Sequence, residues 1–151
     1  MGYALITGAS SGIGSELARL FAADGHDLVL VGRREDLLDR LATELESDFR
    51  VKAVVMPLDI SLLNAPKLIY ERVSSKEGYL KYLVNNAGFY VHGPFTETDW
   101  EAEAQLIHIQ CLNHTRLTKL FLPGMIKAGA GGILNVGSTG SFVPGPASWF
   151  H

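Results

Sequence analysis

The chain has 151 residues, a formal net charge of −3, and 47% hydrophobic against 19% charged residues. That balance suits one globular domain, gives no basic footprint for nucleic acid or an anionic membrane, and includes no apolar run of membrane-spanning length. A single cysteine, Cys111, excludes an internal disulfide and, with no room for a signal peptide before the first strand, makes the cytoplasm the expected compartment.

In chain order, Tyr3–Ile6 reads as a buried strand, and Ile13–Ala23 has helical spacing through Ile13, Leu17, Leu20 and Phe21. Asp24-Gly25-His26 ends that helix and Asp27–Val31 is a second apolar strand. Glu35–Glu46 repeats leucine at 37, 38, 41 and 45, the apolar face of a charged helix. Val51–Met56 is a third strand. Asn64 and Pro66 open a helix running to about Ser75, with Gly78 as punctuation. Tyr82–Val84 is a short fourth strand. Asp99 caps a long helix over residues 99–122 that Pro123-Gly124 closes or kinks, and Ile133–Val136 is the fifth strand. This alternation predicts an α/β fold, a parallel sheet with helices on both faces.

The turn after the first strand, Thr7-Gly8-Ala9-Ser10-Ser11-Gly12-Ile13-Gly14, carries the chemistry. A helix N-terminus aimed at the carboxyl end of a strand offers free N–H groups and a positive dipole end to a phosphate. Gly8 permits the tight turn, Gly12 lets backbone approach a pyrophosphate, and Gly14 lets the helix pack closely on the strand. Ser10 and Ser11 can cap the helix or donate to phosphate oxygens. The absence of Lys-Ser or Lys-Thr after the last glycine excludes a P-loop. His92, His108 and His114 lack metal-ligand spacing and read as surface positions, and Cys111 reads as a buried small hydrophobe. No metal is expected. Asn113-His114-Thr115 matches a glycosylation acceptor by chance, given its helical setting.

Four ordered blocks resemble the short-chain dehydrogenase/reductase family: the glycine turn, Leu58-Asp59-Ile60-Ser61, Asn85-Asn86-Ala87-Gly88, and Ile133-Leu134-Asn135-Val136-Gly137-Ser138. Leu117-Thr118 and Leu122-Pro123 on the long helix match too, so the resemblance covers essentially all 151 residues. It implies a Rossmann-like doubly wound parallel sheet of three layers, five strands in order 3-2-1-4-5. Residues 1–151 would then be a single NADP(H)-binding domain, incomplete at its C-terminus, without the family's last strands.

The same resemblance implies roles. Gly8, Ser10, Ser11, Gly12, Ile13 and Gly14 would hold the pyrophosphate. Asp59 and Ile60 would meet the adenine, and Asn86, Ala87 and Gly88 would lie beside the ribose, with Asn85 equally a tie between strands. An NAD enzyme places a carboxylate after the second strand for the ribose 2′-hydroxyl. Here Arg33 and Arg34 stand there, and a guanidinium forks onto a 2′-phosphate, so NADP(H) is expected ahead of NAD(H). Glu35 and Asp36 read as the first turn of the next helix.

For catalysis, the family uses a serine, a tyrosine, a lysine four residues on, and an asparagine on the long helix that supports a relay water. Ser138 matches the serine. Gln110 stands at the asparagine position, one methylene longer. The tyrosine position falls on Phe150 or His151, and the lysine position lies past the end. The expected function is hydride transfer between nicotinamide and a small carbonyl or alcohol substrate, with this chain its cofactor-binding portion. The alternative is a truncated, non-catalytic dinucleotide-binding protein. Association of copies through residues 99–122 is the family's habit, and the apolar edge Ile133, Leu134 and Val136 suggests self-association as well.

Overall fold

The computed structural model describes residues 2–75 and 79–142. Five strands form one parallel sheet: β1 (Tyr3–Thr7), β2 (Asp27–Gly32), β3 (Ala53–Pro57), β4 (Leu80–Asn85) and β5 (Gly132–Asn135). Their order is β3-β2-β1-β4-β5, so the chain winds outward from β1 in both directions. This is the doubly wound arrangement that the family resemblance implies, and it leaves a crevice beyond the carboxyl ends of β1 and β4.

Strand alternation divides the core in two. Ala4, Ile6, Leu28, Leu30 and Val84 face α1 (Gly12–Ala23) and α2 (Glu35–Phe49), whose Ala18, Ala22, Leu38, Leu41 and Leu45 cover them. Leu5, Val29, Val31 and Leu83 point the other way. There α3 (Ala65–Ser74) supplies Ile69 and Val73, and α5 (His114–Ala128) supplies Leu117, Phe121 and Met125. Both faces of β1 and β2 are therefore sealed, and strands buried on both faces read as continuous apolar runs. No helix among the described residues is long and apolar enough to cross a membrane.

Several boundaries shift from expectation by one to three residues, and two differences have a visible cause. β3 begins at Ala53, because Arg50 takes a left-handed conformation (φ 58°) and the Lys52 N–H turns to the Asp27 carboxylate at 2.8 Å. The predicted long helix is α4 (Trp100–Ile107), a π turn (His108–Asn113) and α5, which runs through Pro123 to Ala128. Pro123 is exposed, so the helix loses one hydrogen bond to water-facing backbone and continues. Gly129, left-handed at φ 63°, is what ends it. At the other end the Asp99 carboxylate accepts from the Ala102 N–H, the cap the sequence announces.

Candidate functional site

Two contiguous cavities lie over the carboxyl edge of the sheet and share Gly8, Ser11, Ala87 and Gly88. The larger, about 780 Å³, opens beside Ile13, Gln110, His114 and Ser138. The smaller, about 370 Å³, is bounded by Ser10, Arg33, Arg34, Asp59, Ile60 and Ile109. Together they make one groove across the glycine turn. Every predicted site residue except Gly12 and Gly14 lines it.

Each turn glycine has its own geometric reason. Gly8 is left-handed (φ 70°), and a Cβ there would stand 2.9 Å from the Ala87 Cα. Gly14 lies beneath the turn, where a Cβ would meet the Gly8 carbonyl oxygen at 2.3 Å. Gly12 is also left-handed (φ 58°), yet a Cβ on it would meet nothing within 4 Å among the described residues. So Gly8 and Gly14 serve the fold, while Gly12 leaves an open backbone edge at the first turn of α1. That edge, beside a helix N-terminus, fits a pyrophosphate.

The serines do not cap. Ser11 is the N-cap of α1 without a side-chain cap hydrogen bond. Instead the Ser10 and Ser11 hydroxyls accept from Arg34 Nη2 at 3.1 and 2.5 Å. A guanidinium within reach outcompetes the neutral N–H groups for these oxygens. Arg33, exposed and lining the smaller cavity, comes directly after β2. Glu35 and Asp36 do form the first turn of α2, as their sequence position suggests.

Thr7 joins the two strand ends. Its hydroxyl donates to the Val84 carbonyl at 3.2 Å and accepts from the Asn86 and Ala87 N–H groups at 2.9 and 3.0 Å. Asn86 returns the tie, its Nδ2 donating to the Thr7 carbonyl at 2.9 Å. Asn85 is 1% exposed and its Nδ2 donates to Asn135 Oδ1 at 2.8 Å and Thr118 Oγ1 at 3.2 Å, joining β4, β5 and α5. The strand-tying role foreseen for Asn85 is thus realised, and Asn86 shares it. Asp59 Oδ1 accepts from the Ser61 N–H at 2.9 Å, which shapes the loop that brings Asp59 and Ile60 to the smaller cavity.

Around the larger cavity, Ser138 precedes a single 3₁₀ turn and its Oγ accepts from the Gly140 N–H at 3.0 Å. Gln110 Nε2 donates to the Phe89 carbonyl at 2.9 Å, and a Cβ on Gly88 would sit 2.9 Å from that same nitrogen. Phe150 and His151, at the expected tyrosine position, lie outside the described residues, as do Trp149 and Gly78.

Two expectations are overturned here. His114 is not a surface residue but 9% exposed, its Nε2 3.5 Å from Thr7 Oγ1, and burial pushes its pKa down to about 4. Cys111 is exposed and lines the larger cavity. Helical spacing accounts for both: His114 stands three residues before Leu117 on the buried stripe that Phe121 and Met125 continue, and Cys111 stands two residues from both Ile109 and Asn113, on the opposite side. Sequence reasoning also passes over Asn113, buried at 2%. A signal exists: Asn113 interrupts the apolar stripe Leu106, Ile109, Leu117, where a polar side chain must find buried partners. Among the described residues no cluster of His, Cys, Asp and Glu could hold a metal ion.

The profile of a known family, described as short chain dehydrogenase, matches residues 2–149. A very-long-chain 3-oxoacyl-CoA reductase from Pyrenophora tritici-repentis is 37% identical over 155 residues, covering 95% of this chain and 43% of its own length. A short-chain dehydrogenase from Sphingobium yanoikuyae, solved in complex with NADPH, superposes with a TM-score of 0.88 at 35% identity, covering 95% of this chain and 56% of that one. An alcohol dehydrogenase from the archaeon Thermococcus sibiricus, complexed with 5-hydroxy-NADP, gives 0.90 at 32% identity, with 97% and 62% covered. The chain therefore spans less than half the length of the curated relative it matches.

Proposed function

The chain belongs to the short-chain dehydrogenase family, and from that premise we propose that it is the NADP(H)-binding portion of an oxidoreductase acting on carbonyl or alcohol substrates. The observation that carries this is the groove itself. It runs from two arginines, past an open glycine edge at a helix N-terminus, to a serine beside the larger cavity.

In this reading the smaller cavity takes the adenosine end. Arg33 and Arg34 supply positive charge where a 2′-phosphate sits, and no carboxylate stands between them and β2 to repel it. Arg34 is held by Ser10 and Ser11, so binding trades two neutral acceptors for an anionic one. Asp59 and Ile60 form the adenine wall, Gly12 and Ile13 pass the pyrophosphate, and Asn86, Ala87 and Gly88 make the floor under the ribose. Gly8 and Gly14 act by shaping the turn. NADPH, when bound, supplies the hydride. Ser138 would hold the substrate oxygen with a hydrogen bond from its hydroxyl, and Gln110, tethered to the Phe89 carbonyl, borders the place where a relay water would stand.

Isothermal titration of the chain with NADPH, NADH and 2′,5′-ADP tests the binding half. NADPH and 2′,5′-ADP should bind and NADH should bind at least about tenfold more weakly, since a charge-assisted contact is worth about 1.5–3 kcal/mol. Equal affinity for NADH and NADPH refutes the assignment of the arginines. The matched reductase makes a 3-oxoacyl thioester the first substrate to try with the whole protein. Any turnover should vanish in Ser138→Ala. Trp100, Leu112, Leu122 and Ile126, all exposed on the α4–α5 helix, support association of copies through that helix, which sedimentation velocity would detect.

A further inference from the structure

The loop that carries Asp59 and Ile60 is held by side chains of another element. Asn113 Nδ2, in the π turn, donates to the carbonyls of Ile60 at 2.5 Å and Leu62 at 3.1 Å. Arg116 Nη1 donates to the Leu63 carbonyl at 3.1 Å. Three carbonyls within four residues thus end on one helix. From inside the loop, Asp59 Oδ1 holds the Ser61 N–H and the Asp59 carbonyl accepts from the Leu62 N–H at 3.3 Å.

The same helix lines both cavities. Ile109 and, beyond it, Asn113 face the Asp59–Ile60 side, whereas Gln110 and His114 line the larger cavity. A leucine at 113 would complete the apolar stripe, but it would take from the Ile60 carbonyl its Asn113 donor and leave the Leu62 carbonyl with only the Ala65 N–H. A buried Ile60 carbonyl without that donor is costly, and the loop would relieve the cost by swinging toward water. Ile60, 7% exposed, would swing with it.

We propose that Asn113 is a positioning residue for the adenosine end of the dinucleotide: its two N–H donors fix the Asp59–Ile60 wall and so set affinity for that end alone. The proposal rests on the assignment of the smaller cavity to adenosine. The donor pair matters more than the shape, because leucine matches asparagine in size and lacks both N–H groups.

The test uses the full 151-residue chain and its Asn113→Leu variant, with calorimetric titration of 2′,5′-ADP and of NADPH and hydrogen exchange at Ser61 and Leu62. The expected result is a loss of about tenfold in 2′,5′-ADP affinity and an equal factor for NADPH, with faster exchange at the two amides. Unchanged 2′,5′-ADP affinity overturns the proposal. So does a clearly larger loss for NADPH than for 2′,5′-ADP, which would mean that the whole helix is disturbed. Failure of the unmutated chain to bind 2′,5′-ADP would instead defeat the cavity assignment, and the proposal with it. Should Asn113→Leu not fold, Asn113→Ser, smaller and still polar, removes the amide donor pair. It is expected to weaken both ligands by the same severalfold factor, and no change there overturns the proposal.

Discussion

Arg34 Nη2 lies 3.1 Å from the Ser10 hydroxyl oxygen, so the end of β2 and the glycine turn are bridged by a cation before any ligand arrives. That bridge leaves Arg33 as the neighbouring exposed cation on the same cavity. Arg33→Asp would place a carboxylate where a 2′-hydroxyl can donate and a 2′-phosphate is repelled. Preference for NADPH over NADH, measured by titration calorimetry, should fall about tenfold or more, and the effect should shrink at high salt. An unchanged ratio would put the phosphate on Arg34 alone.

Gly14 and Gly12 should respond differently to the same methyl group. At Gly14 a Cβ stands 2.3 Å from the Gly8 carbonyl oxygen, a backbone atom that cannot step aside. Gly14→Ala should destabilise by roughly 1–3 kcal/mol or more, as overpacking does. At Gly12 there is space, and only the left-handed φ of 58° is penalised. Gly12→Ala should cost about 1–2 kcal/mol of stability and weaken NADPH out of proportion to that loss. Chemical melts of both variants beside their NADPH affinities decide the matter.

His114 makes stability depend on pH. The unfolded ring takes up a proton as pH falls through about 6.5, whereas the buried ring resists until about 4. Between those values the unfolded chain binds more protons, so stability falls as the solution is acidified; above 6.5 the contribution is complete. The whole effect is at most about 3 kcal/mol. Urea melts at pH 7 and pH 4.5 should show a smaller difference for His114→Gln than for the unmutated chain. Identical differences would mean that the ring titrates freely.

Arg19 forks onto Glu44, with Nε–Oε1 at 2.5 Å and Nη2–Oε2 at 2.9 Å, and stitches α1 to α2. The hydrogen bond from Arg19, ahead of its charge, holds the Glu44 carboxyl below its ordinary range. The stabilisation is present above the carboxyl's unfolded pKa and disappears as pH falls through the lowered folded value. Both side chains are about a third or more exposed, so solvent screening leaves about 1 kcal/mol or less. Arg19→Met should therefore lower the melting temperature by only a few degrees, and 1 M salt should erase part of the difference.

Much of this fold is legible in the sequence because it depends on local chemistry. The strand order and the place of Ser138 come from the family resemblance, whereas the strands and the glycine turn come from apolar runs and from glycines that a turn requires. The Asp99 cap is visible for the same reason. His114 and Cys111 could have been placed by spacing: His114 lies three residues before Leu117 on the stripe that Phe121 and Met125 continue, and Cys111 lies two residues from both Ile109 and Asn113, on the far side. What escapes is the π turn itself, His108–Asn113, which no local spacing announces. The serines read as caps because their true partner, Arg34, lies 23 and 24 residues away in sequence. Pro123 reads as a stop, but an exposed proline costs a helix one bond and not its course.

The Thr7 hydroxyl, engaged with Val84, Asn86 and Ala87 at once, makes the turn and the end of β4 a single body. A floor built this way does not open or close. Among the described residues, any gating falls to the walls, which include the Arg33–Arg34 segment, the Asp59–Ile60 loop and the chain just past Gly88. The rates at which a dinucleotide enters and leaves then depend on such wall segments more than on the floor. Changes to them should alter residence time, while changes to Thr7 should alter whether the groove exists at all.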